Sequence, residues 1–216
     1  MININTKEYW EQRFSSGDWE TKGGNNQTAQ FAQSQLQHFD MPENFSGTIL
    51  DFGCGLGDAI PLYHQKYPKA KLIGLDISES AIESCRTKFG NIAEFISGDH
   101  TNVPAGVNVI IASNVFEHLT GGEEIARVLS SKCDALYIIV PFEENMVTGC
   151  KEHVNRYSRN SFQNIKTSWI KIFTSKGWSE FGVNLYFNVY FKNILRPFFG
   201  KRIAKRNMQI MFKMSK

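Results

Sequence analysis

The sequence lacks the segments that anchor a protein in a membrane or direct it to secretion. It contains no run of about 18 apolar residues, the length needed to cross a bilayer. Its first residues, MININTKEYWEQ, have no apolar core of the kind that a signal peptide requires. We therefore expect a cytoplasmic globular protein, and 216 residues are enough for one domain with a self-supporting core.

The sequence also lacks the patterns of zinc ligation and of nucleic-acid binding. Its four cysteines form no CxxC pair and no His/Cys spacing suited to zinc, so we interpret them as buried free thiols and expect no metal site. The formal net charge is only +3, without the dense basic stripe of a nucleic-acid binder, so we expect no nucleic-acid partner. Nothing in the sequence indicates an oligomeric state. The basic residues that do cluster lie near the C-terminus: Lys201, Arg202, Lys205 and Arg206.

What the sequence does contain is a regular alternation of short apolar runs and helical segments. The apolar runs predict strands at 48–52, 71–75, 93–96, 107–112 and 135–140. Helices are predicted at 28–38, at 58–67, from Ser78 onward and at 121–130. Strands buried on both faces and separated by helices are typical of a parallel sheet with helices packed on each side.

After Pro141 this alternation ends. We predict a polar turn region at 142–157, a helix at 160–176, strand-like segments from Trp178 and a final strand at 205–214. The sheet should therefore be an open α/β sheet with an antiparallel edge.

The strongest motif is DFGCGLG at residues 51–57, directly after the first predicted strand and before a helix. Glycines here let the backbone turn sharply and approach a ligand without Cβ clashes, and the helix that follows offers free N–H groups. Asp76 follows nineteen residues after Gly57, at the end of the second predicted strand. An acid at about that spacing is placed to accept both hydroxyls of a ribose. The pattern indicates a nucleoside-binding site.

The run from Ile49 to Gly57 closely resembles the first motif of the class I S-adenosylmethionine-dependent methyltransferases, small-molecule type. Three later stretches resemble further motifs of this family and follow in the expected order: IGLDIS at 73–78, SGDH at 97–100 and SNVFEHL at 113–119. The aromatic pair Tyr9-Trp10 is similar to the start of many members, where that segment covers the cofactor. The resemblance covers about residues 45–145.

This resemblance implies a Rossmann-like, doubly wound α/β fold with a mostly parallel seven-stranded sheet, an antiparallel edge strand and helices on both faces. It implies one methyltransferase domain over 1–216, with an N-terminal helical cap (1–44), a cofactor-binding core (45–141) and a portion carrying the acceptor loop, an aromatic insertion and the final strands (142–216). The expected cofactor is S-adenosylmethionine, with S-adenosylhomocysteine as product. The expected cofactor-binding residues are Asp51, Gly53, Gly55, Gly57, Asp76, Ile77, Asp99, His100 and Asn114.

Two other classes of protein remain open. A nucleotide-dependent oxidoreductase would use the fingerprint GxGxxG, but position 58 is Asp, which weakens that interpretation. A non-catalytic module that binds the same cofactor would carry the same motifs.

Two histidines are the candidate catalytic residues. His118 follows the fourth predicted strand and His153 lies in the loop after the fifth, and histidine titrates near neutral pH, as a base for a hydroxyl acceptor should. His118 could equally fix its loop by a structural hydrogen bond. Arg156 and Tyr157 could bind an anionic acceptor or form a solvated face.

The acceptor is expected to be a small or medium-sized molecule. No Asn-Pro-Pro-Tyr-like element follows the fourth strand, which favours an oxygen of a metabolite or glycan precursor over an amine. The aromatic insertion 178–199 could form an acceptor lid, touch an anionic membrane or touch a partner subunit. We expect it instead to be core packing, the usual state of aromatic side chains, so a peripheral membrane contact is possible but not expected.

Overall fold

A computed structural model describes residues 3–144, 150–177, 186–201 and 207–215. Its centre is a sheet of seven strands: β1 Thr48–Phe52, β2 Lys71–Asp76, β3 Glu94–Ser97, β4 Val109–Ser113, β5 Ala135–Pro141, β6 Thr167–Phe173 and β7 Gln209–Ser215. The spatial order is β3-β2-β1-β4-β5-β7-β6. The first five strands pair in parallel, whereas β7 is antiparallel to both of its neighbours, β5 and β6. The predicted mostly parallel, seven-stranded Rossmann-like sheet is confirmed, and its antiparallel strand lies next to the outermost strand.

Seven α-helices accompany the sheet in the described part of the chain: α1 Lys7–Ser15, α2 Asp18–Thr21, α3 Gly24–Gln35, α4 Ile60–Lys66, α5 Glu79–Phe89, α6 Gly122–Ser131 and α7 Lys192–Leu195. Short 3-10 turns lie at His100–Asn102, Phe116–His118 and Arg196–Phe199, and a π-helix lies at Tyr186–Phe191. None of the helices in these residues is long and apolar enough to cross a membrane.

The core forms on both faces of the sheet because its strands are apolar on both sides. In β4, Val109 and Ile111 pack into one cluster, with side chains from α3, α4 and α5. The intervening Ile110 and Ala112 pack into the opposite cluster, with side chains from α6. Since side chains alternate along a strand, a continuous apolar run feeds two cores, and helices must cover both.

The helix predicted at 160–176 is wrong, because 167–173 form β6. Thr167, Ile170 and Ile172 are β-branched and Trp169 is aromatic, which favours a strand where a partner edge exists. That partner is β7, which pairs with β6 from Met214 to Gln209. The partner lies about forty residues further along the chain, so the local sequence pattern does not reveal it.

The strand-like segments predicted after Trp178 are wrong for 186–199, which form helical turns, while 178–185 lie outside the described residues. The expected core packing of this insertion is also wrong for the side chains that can be described. Those of Phe187, Tyr190, Phe191, Phe198 and Phe199 are exposed. The short helices lie between β6 and β7 in the sequence, and their aromatic side chains are not part of either core cluster. Trp178, Phe181, Arg202, Lys205 and Arg206 are not among the described residues, and Lys201 is exposed.

Asp40, shortly after α3, ties the last three strands of the sheet together. Its carboxylate accepts hydrogen bonds from the hydroxyl of Tyr137 on β5, from Trp169 Nε1 on β6 at 3.1 Å and from Lys213 Nζ on β7 at 2.8 Å. Burial alone would raise the pKa of Asp40, but the bonds from Lys213, Tyr137 and Trp169 outweigh it and lower the pKa to about 2. The ionised carboxylate therefore stabilises this edge of the sheet.

We predict that Asp40→Asn lowers the free energy of unfolding at neutral pH. Because the folded pKa lies below the unfolded value of about 3.9, the stabilisation is present above that value and is lost as the pH falls towards about 2. Urea unfolding of both proteins between neutral pH and pH 2 checks this, and the two curves should converge at the acid end. Glu94→Gln, which removes an exposed partner of Lys71, serves as the control and should show little difference from the wild type. A deficit of Asp40→Asn that stays constant down to pH 2 would contradict the prediction.

Candidate functional site

The loop after β1 has a backbone that only glycine adopts easily. Gly53, Gly55 and Gly57 have φ angles of +74°, +52° and +78°. A Cβ on Gly53 would lie 2.4 Å from Cγ2 of Val115, and one on Gly57 would lie 3.0 Å from the sulfur of Cys85. The glycines therefore let this loop turn tightly between the segment after β4 and helix α5.

Asp76, at the carboxyl end of β2, holds this loop in place. Its Oδ2 accepts a hydrogen bond from the backbone N–H of Gly55 at 2.8 Å, and its Oδ1 accepts one from that of Ser78 at 3.0 Å. Burial raises the pKa of Asp76, and these backbone donors offset part of the rise. Burial, together with the charge of Asp76, also raises the pKa of Asp51 to about 7. Two buried acids thus lie at the ends of adjacent strands.

A cavity at the carboxyl ends of the strands gathers most of the predicted site residues. Its lining includes Asp51, Gly53, Gly55, Asp76, Ile77, Asp99, His100, Asn114 and His118. Gly57 is not in the lining and packs against α5 instead. His153 is also not in the lining but contacts the ring of His118. The cavity therefore lies where ligands bind in open α/β sheets, outside the carboxyl ends of the strands.

The N-terminal helices cover this cavity with aromatic side chains. Trp10, Phe14 and Trp19 line it, and their rings contact one another, with Trp10 and Phe14 stacked at 5.9 Å between centroids. Glu11 fastens α1 to the start of α5 by accepting a hydrogen bond of 2.7 Å from the hydroxyl of Ser78. These aromatic rings therefore form an apolar cover over part of the cavity.

His118 lies at the end of the cavity formed by the segment after β4. Its Nδ1 is 3.1 Å from the carbonyl oxygen of Glu152, and its ring packs edge-on against Trp10 with 5.1 Å between centroids. Burial and the neighbouring His153 lower the pKa of His118 to about 4. The imidazole is therefore neutral at physiological pH.

His153 forms a second layer behind His118, with 4.9 Å between the ring centroids. Its Nδ1 is 2.6 Å from the carboxylate of Glu144. Burial raises the pKa of Glu144, but the bond to His153 and further partners outweigh it, so the net pKa is lowered and the carboxylate is ionised. Glu144 was not predicted from the sequence. The sequence signal for it is an acid nine residues before His153 in the same polar region.

Tyr157 and its neighbours fix the loop that carries His153 instead of facing a ligand. Tyr157 is buried, and its hydroxyl donates a hydrogen bond of 2.9 Å to the carbonyl of Phe116. Asn155 Nδ2 donates to the same carbonyl at 2.9 Å. Arg156 donates to carbonyls of its own loop, including that of Cys150, and pairs with the carboxylate of Glu144. For Arg156 and Tyr157 the sequence suggested either an anion site or a solvated face. Both predictions are wrong for Tyr157, because it is buried and its hydroxyl is bonded to a backbone carbonyl.

Glu117 has a buried carboxyl group, with a residue exposure of 1%, and its Oε2 has no hydrogen-bond partner among the described residues. Burial raises its pKa to about 8. Glu117, His118 and His153 each offer one atom able to ligate a metal, and these atoms lie within 4.8 Å of one another. Among the described residues, this is the only group of three such side chains close enough together to hold a metal ion. This group was not predicted from the sequence because His153 lies 35 residues from His118.

Residues 49–137 match a sequence family described as a methyltransferase domain. A trans-aconitate 2-methyltransferase of Afipia carboxidovorans is 33% identical over 87 residues, covering 38% of this chain and 34% of that protein. A ribosomal RNA small subunit methyltransferase C of Serratia proteamaculans is 26% identical over 157 residues, covering 71% of this chain and 42% of that protein. The chain thus spans well under half the length of these curated relatives.

Among solved structures, the plantazolicin methyltransferase BpumL in complex with SAH is similar over 98% of this chain and 96% of that chain, with a TM-score of 0.55. The sequence identity is 20%, so the likeness shows a shared fold.

We predict that Gly53→Ala destabilises the protein more than Gly106→Ala does. Both glycines have a left-handed φ, which costs an L-residue roughly 1–2 kcal/mol, but a Cβ on Gly106 meets nothing within 4 Å. Gly53→Ala adds the clash with Val115, whose β-branched side chain has little freedom to move away. Urea unfolding of the two variants measures the difference, and adding Val115→Ala to Gly53→Ala should recover part of it. Equal losses in the two single variants would show that the contact with Val115 does not constrain the loop.

Proposed function

We propose that this chain, whose residues 49–137 match a methyltransferase domain, is a class I S-adenosylmethionine-dependent methyltransferase that transfers the methyl group of that cofactor to an oxygen of a small or medium-sized acceptor. The observation that carries the proposal is the cavity in which acids from successive strand ends face an aromatic cover. The division into a cap (1–44), a cofactor core (45–141) and an acceptor portion (142–216) is part of the proposal.

We assign the cofactor contacts from the chemistry of the residues that line the cavity. Asp76 keeps lone pairs for the two ribose hydroxyls after accepting from Gly55 and Ser78. Asp99 is held by Thr101, whose bonds lower the pKa of Asp99 and keep it ionised as an acceptor for the adenine amino group. Gly53 and Gly55 allow close backbone approach, and Gly57 shapes the same turn.

The remaining predicted contacts lie beside these in the cavity. Ile77 provides an apolar surface for the adenine, next to His100. Asp51 and Asn114 lie at the ends of β1 and β4, where the amino-acid portion of the cofactor would be bound. Acids in a water-excluded cavity favour a ligand that carries positive charge, as a sulfonium and an ammonium do.

The cofactor supplies an activated methyl group on a positively charged sulfur. The protein has to bring the acceptor oxygen into line with the bond that breaks, and such positioning can contribute about 7–11 kcal/mol. Trp10, Phe14 and Trp19 keep water away from the reacting atoms. His118 lines the cavity on the acceptor side, with His153 behind it, so we assign both to holding the acceptor.

An oxygen acceptor is supported by the segment after β4, where SNVF stands in place of an Asn-Pro-Pro-Tyr-like element. An amine of a nucleobase is the second candidate, because the similar proteins include ribosomal RNA methyltransferases. A non-catalytic module and an oxidoreductase remain the alternatives from other classes. Binding without turnover would indicate the first, and binding of NAD the second.

We predict that Asp76→Asn weakens S-adenosylmethionine binding about ten-fold or more, because it removes the charge from the hydrogen bonds to the ribose, each worth about 1.5–3 kcal/mol. Isothermal titration with S-adenosylmethionine, S-adenosylhomocysteine and NAD measures it in the wild type and the variant. Asp134→Asn, an exposed acid bonded to Asn108, is the matched control and should bind like the wild type. Unchanged affinity in folded Asp76→Asn would contradict the ribose assignment, and NAD binding alone would overturn the class.

We predict that the product is an O-methyl compound. The purified protein is incubated with S-adenosylmethionine carrying a ¹³C-labelled methyl group and with pools of hydroxylated, carboxylated and amino compounds and ribosomal RNA. Carbon NMR of the products separates methyl ethers and esters from N-methyl groups. Label on a nucleobase nitrogen would reject the oxygen acceptor while leaving the methyl transfer itself in place.

A further inference from the structure

We propose that Glu117, His118 and His153 form a binding site for a divalent transition metal at the acceptor end of the cavity. The proposal rests on the proposed function in one respect only: the ion would bind the acceptor oxygen. The binding of the ion itself does not depend on the proposed function.

Glu117 has a buried carboxyl oxygen without a partner among the described residues. A carboxyl group buried to this degree is normally hydrogen-bonded at both oxygens or paired with a cation. Glu117 Oε2 has neither a hydrogen-bond nor an ion-pair partner among the described residues. The nearby guanidinium of Arg156 is already engaged with Glu144 and with backbone carbonyls. A bound cation would provide the missing partner for this oxygen.

The orientation of the two imidazole rings also favours a metal site. The Nδ1 of His118 faces a backbone carbonyl and that of His153 faces the Glu144 carboxylate, at 3.1 and 2.6 Å. Both oxygens can only accept, so each Nδ1 carries a hydrogen, and in the neutral ring Nε2 is the nitrogen that presents a lone pair. Metal-binding histidines almost always have their second nitrogen held in this way by a carbonyl or a carboxylate.

The ligand set defines the class of ion. Two imidazoles and one carboxylate suit Zn²⁺ and neighbouring first-row ions better than Mg²⁺ or Ca²⁺, which prefer oxygen ligands. Atoms bound tetrahedrally to one such ion at about 2.0–2.2 Å lie roughly 3.3–3.6 Å apart. The present separations of up to 4.8 Å therefore require the side chains to move inward by up to about 1.5 Å when the ion binds.

Three protein ligands leave a coordination position for an acceptor oxygen. His118 both belongs to the cluster and lines the cavity, so the ion adjoins the region where the acceptor must lie. Coordination lowers the pKa of a bound hydroxyl. Its proton leaves to solvent, an oxygen lone pair forms the new bond to the methyl carbon, and the carbon–sulfur bond breaks with its electron pair going to sulfur. The products are the methylated acceptor and S-adenosylhomocysteine.

The test is a titration of the full chain after treatment with EDTA and removal of the chelator. Zn²⁺ binding is followed by calorimetry, and Co²⁺ binding by the visible absorption bands that report its ligand geometry. We expect one ion per chain. Glu117→Gln and His153→Ala should each weaken binding at least a hundred-fold, and Glu144→Ala should weaken it by about 10–100-fold through the loss of ring orientation. His64→Ala, which removes a half-buried histidine of α4 outside the cluster, should bind the ion like the wild type.

Each variant is also titrated with S-adenosylmethionine and examined by circular dichroism, because a misfolded variant would lose both ligands. His153→Gln replaces any His153→Ala protein that fails to fold. No ion binding to the wild type, or binding that Glu117→Gln and His153→Ala leave unchanged, would overturn the metal site. Ion binding without S-adenosylmethionine binding would leave the metal site standing and would reject the proposed function instead.

Discussion

The hydrogen bond from the Gly55 N–H to the carboxylate of Asp76 is the contact on which the cavity depends. It joins the loop after β1 to the end of β2, where the N–H groups of Gly53 and Cys54 also donate to the carbonyl of Leu75. A loop held in this way cannot carry side chains at its tightest points, which explains the glycines there. The same residue lines the cavity, so one acid both fixes the loop and presents a polar group to the cavity. The raised pKa values of Asp76 and Asp51 reflect the energetic cost of burying two acids in that position.

Much of this arrangement can be predicted from the sequence because its information is local. The strands β1, β2, β4 and β5 are continuous apolar runs, and the loop and Asp76 follow them at a short, fixed spacing. The edge of the sheet is different. The segment that forms β6 has a pattern compatible with a helix until β7 supplies its hydrogen-bond partner from a distant part of the chain. Composition likewise does not reveal that the aromatic side chains around Phe198 are exposed, because exposure depends on what packs over them.

The surroundings of His118 could not be derived from spacing for a similar reason. His118 was found because it lies in a recognisable stretch after β4, but its surroundings come from a loop more than thirty residues further on. Asn155 and Tyr157 attach that loop to the turn at Phe116, and this attachment brings His153 and Glu144 to the ring of His118. Arg156 and Tyr157, which the sequence suggested as possible acceptor-binding residues, thus fix the loop. Glu144, which was not predicted, orients His153.

Glu152 connects this loop to the N-terminal part of the chain through both its carboxylate and its carbonyl oxygen. Its carboxylate accepts hydrogen bonds from the hydroxyl of Tyr9 at 2.5 Å and from Arg13 at 2.7 Å, and its carbonyl faces both Asn5 and His118. Movement of α1 away from the cavity would break these contacts and disturb the surroundings of His118. The part of the cavity that α1 covers and the part that His118 lines therefore share one anchoring residue.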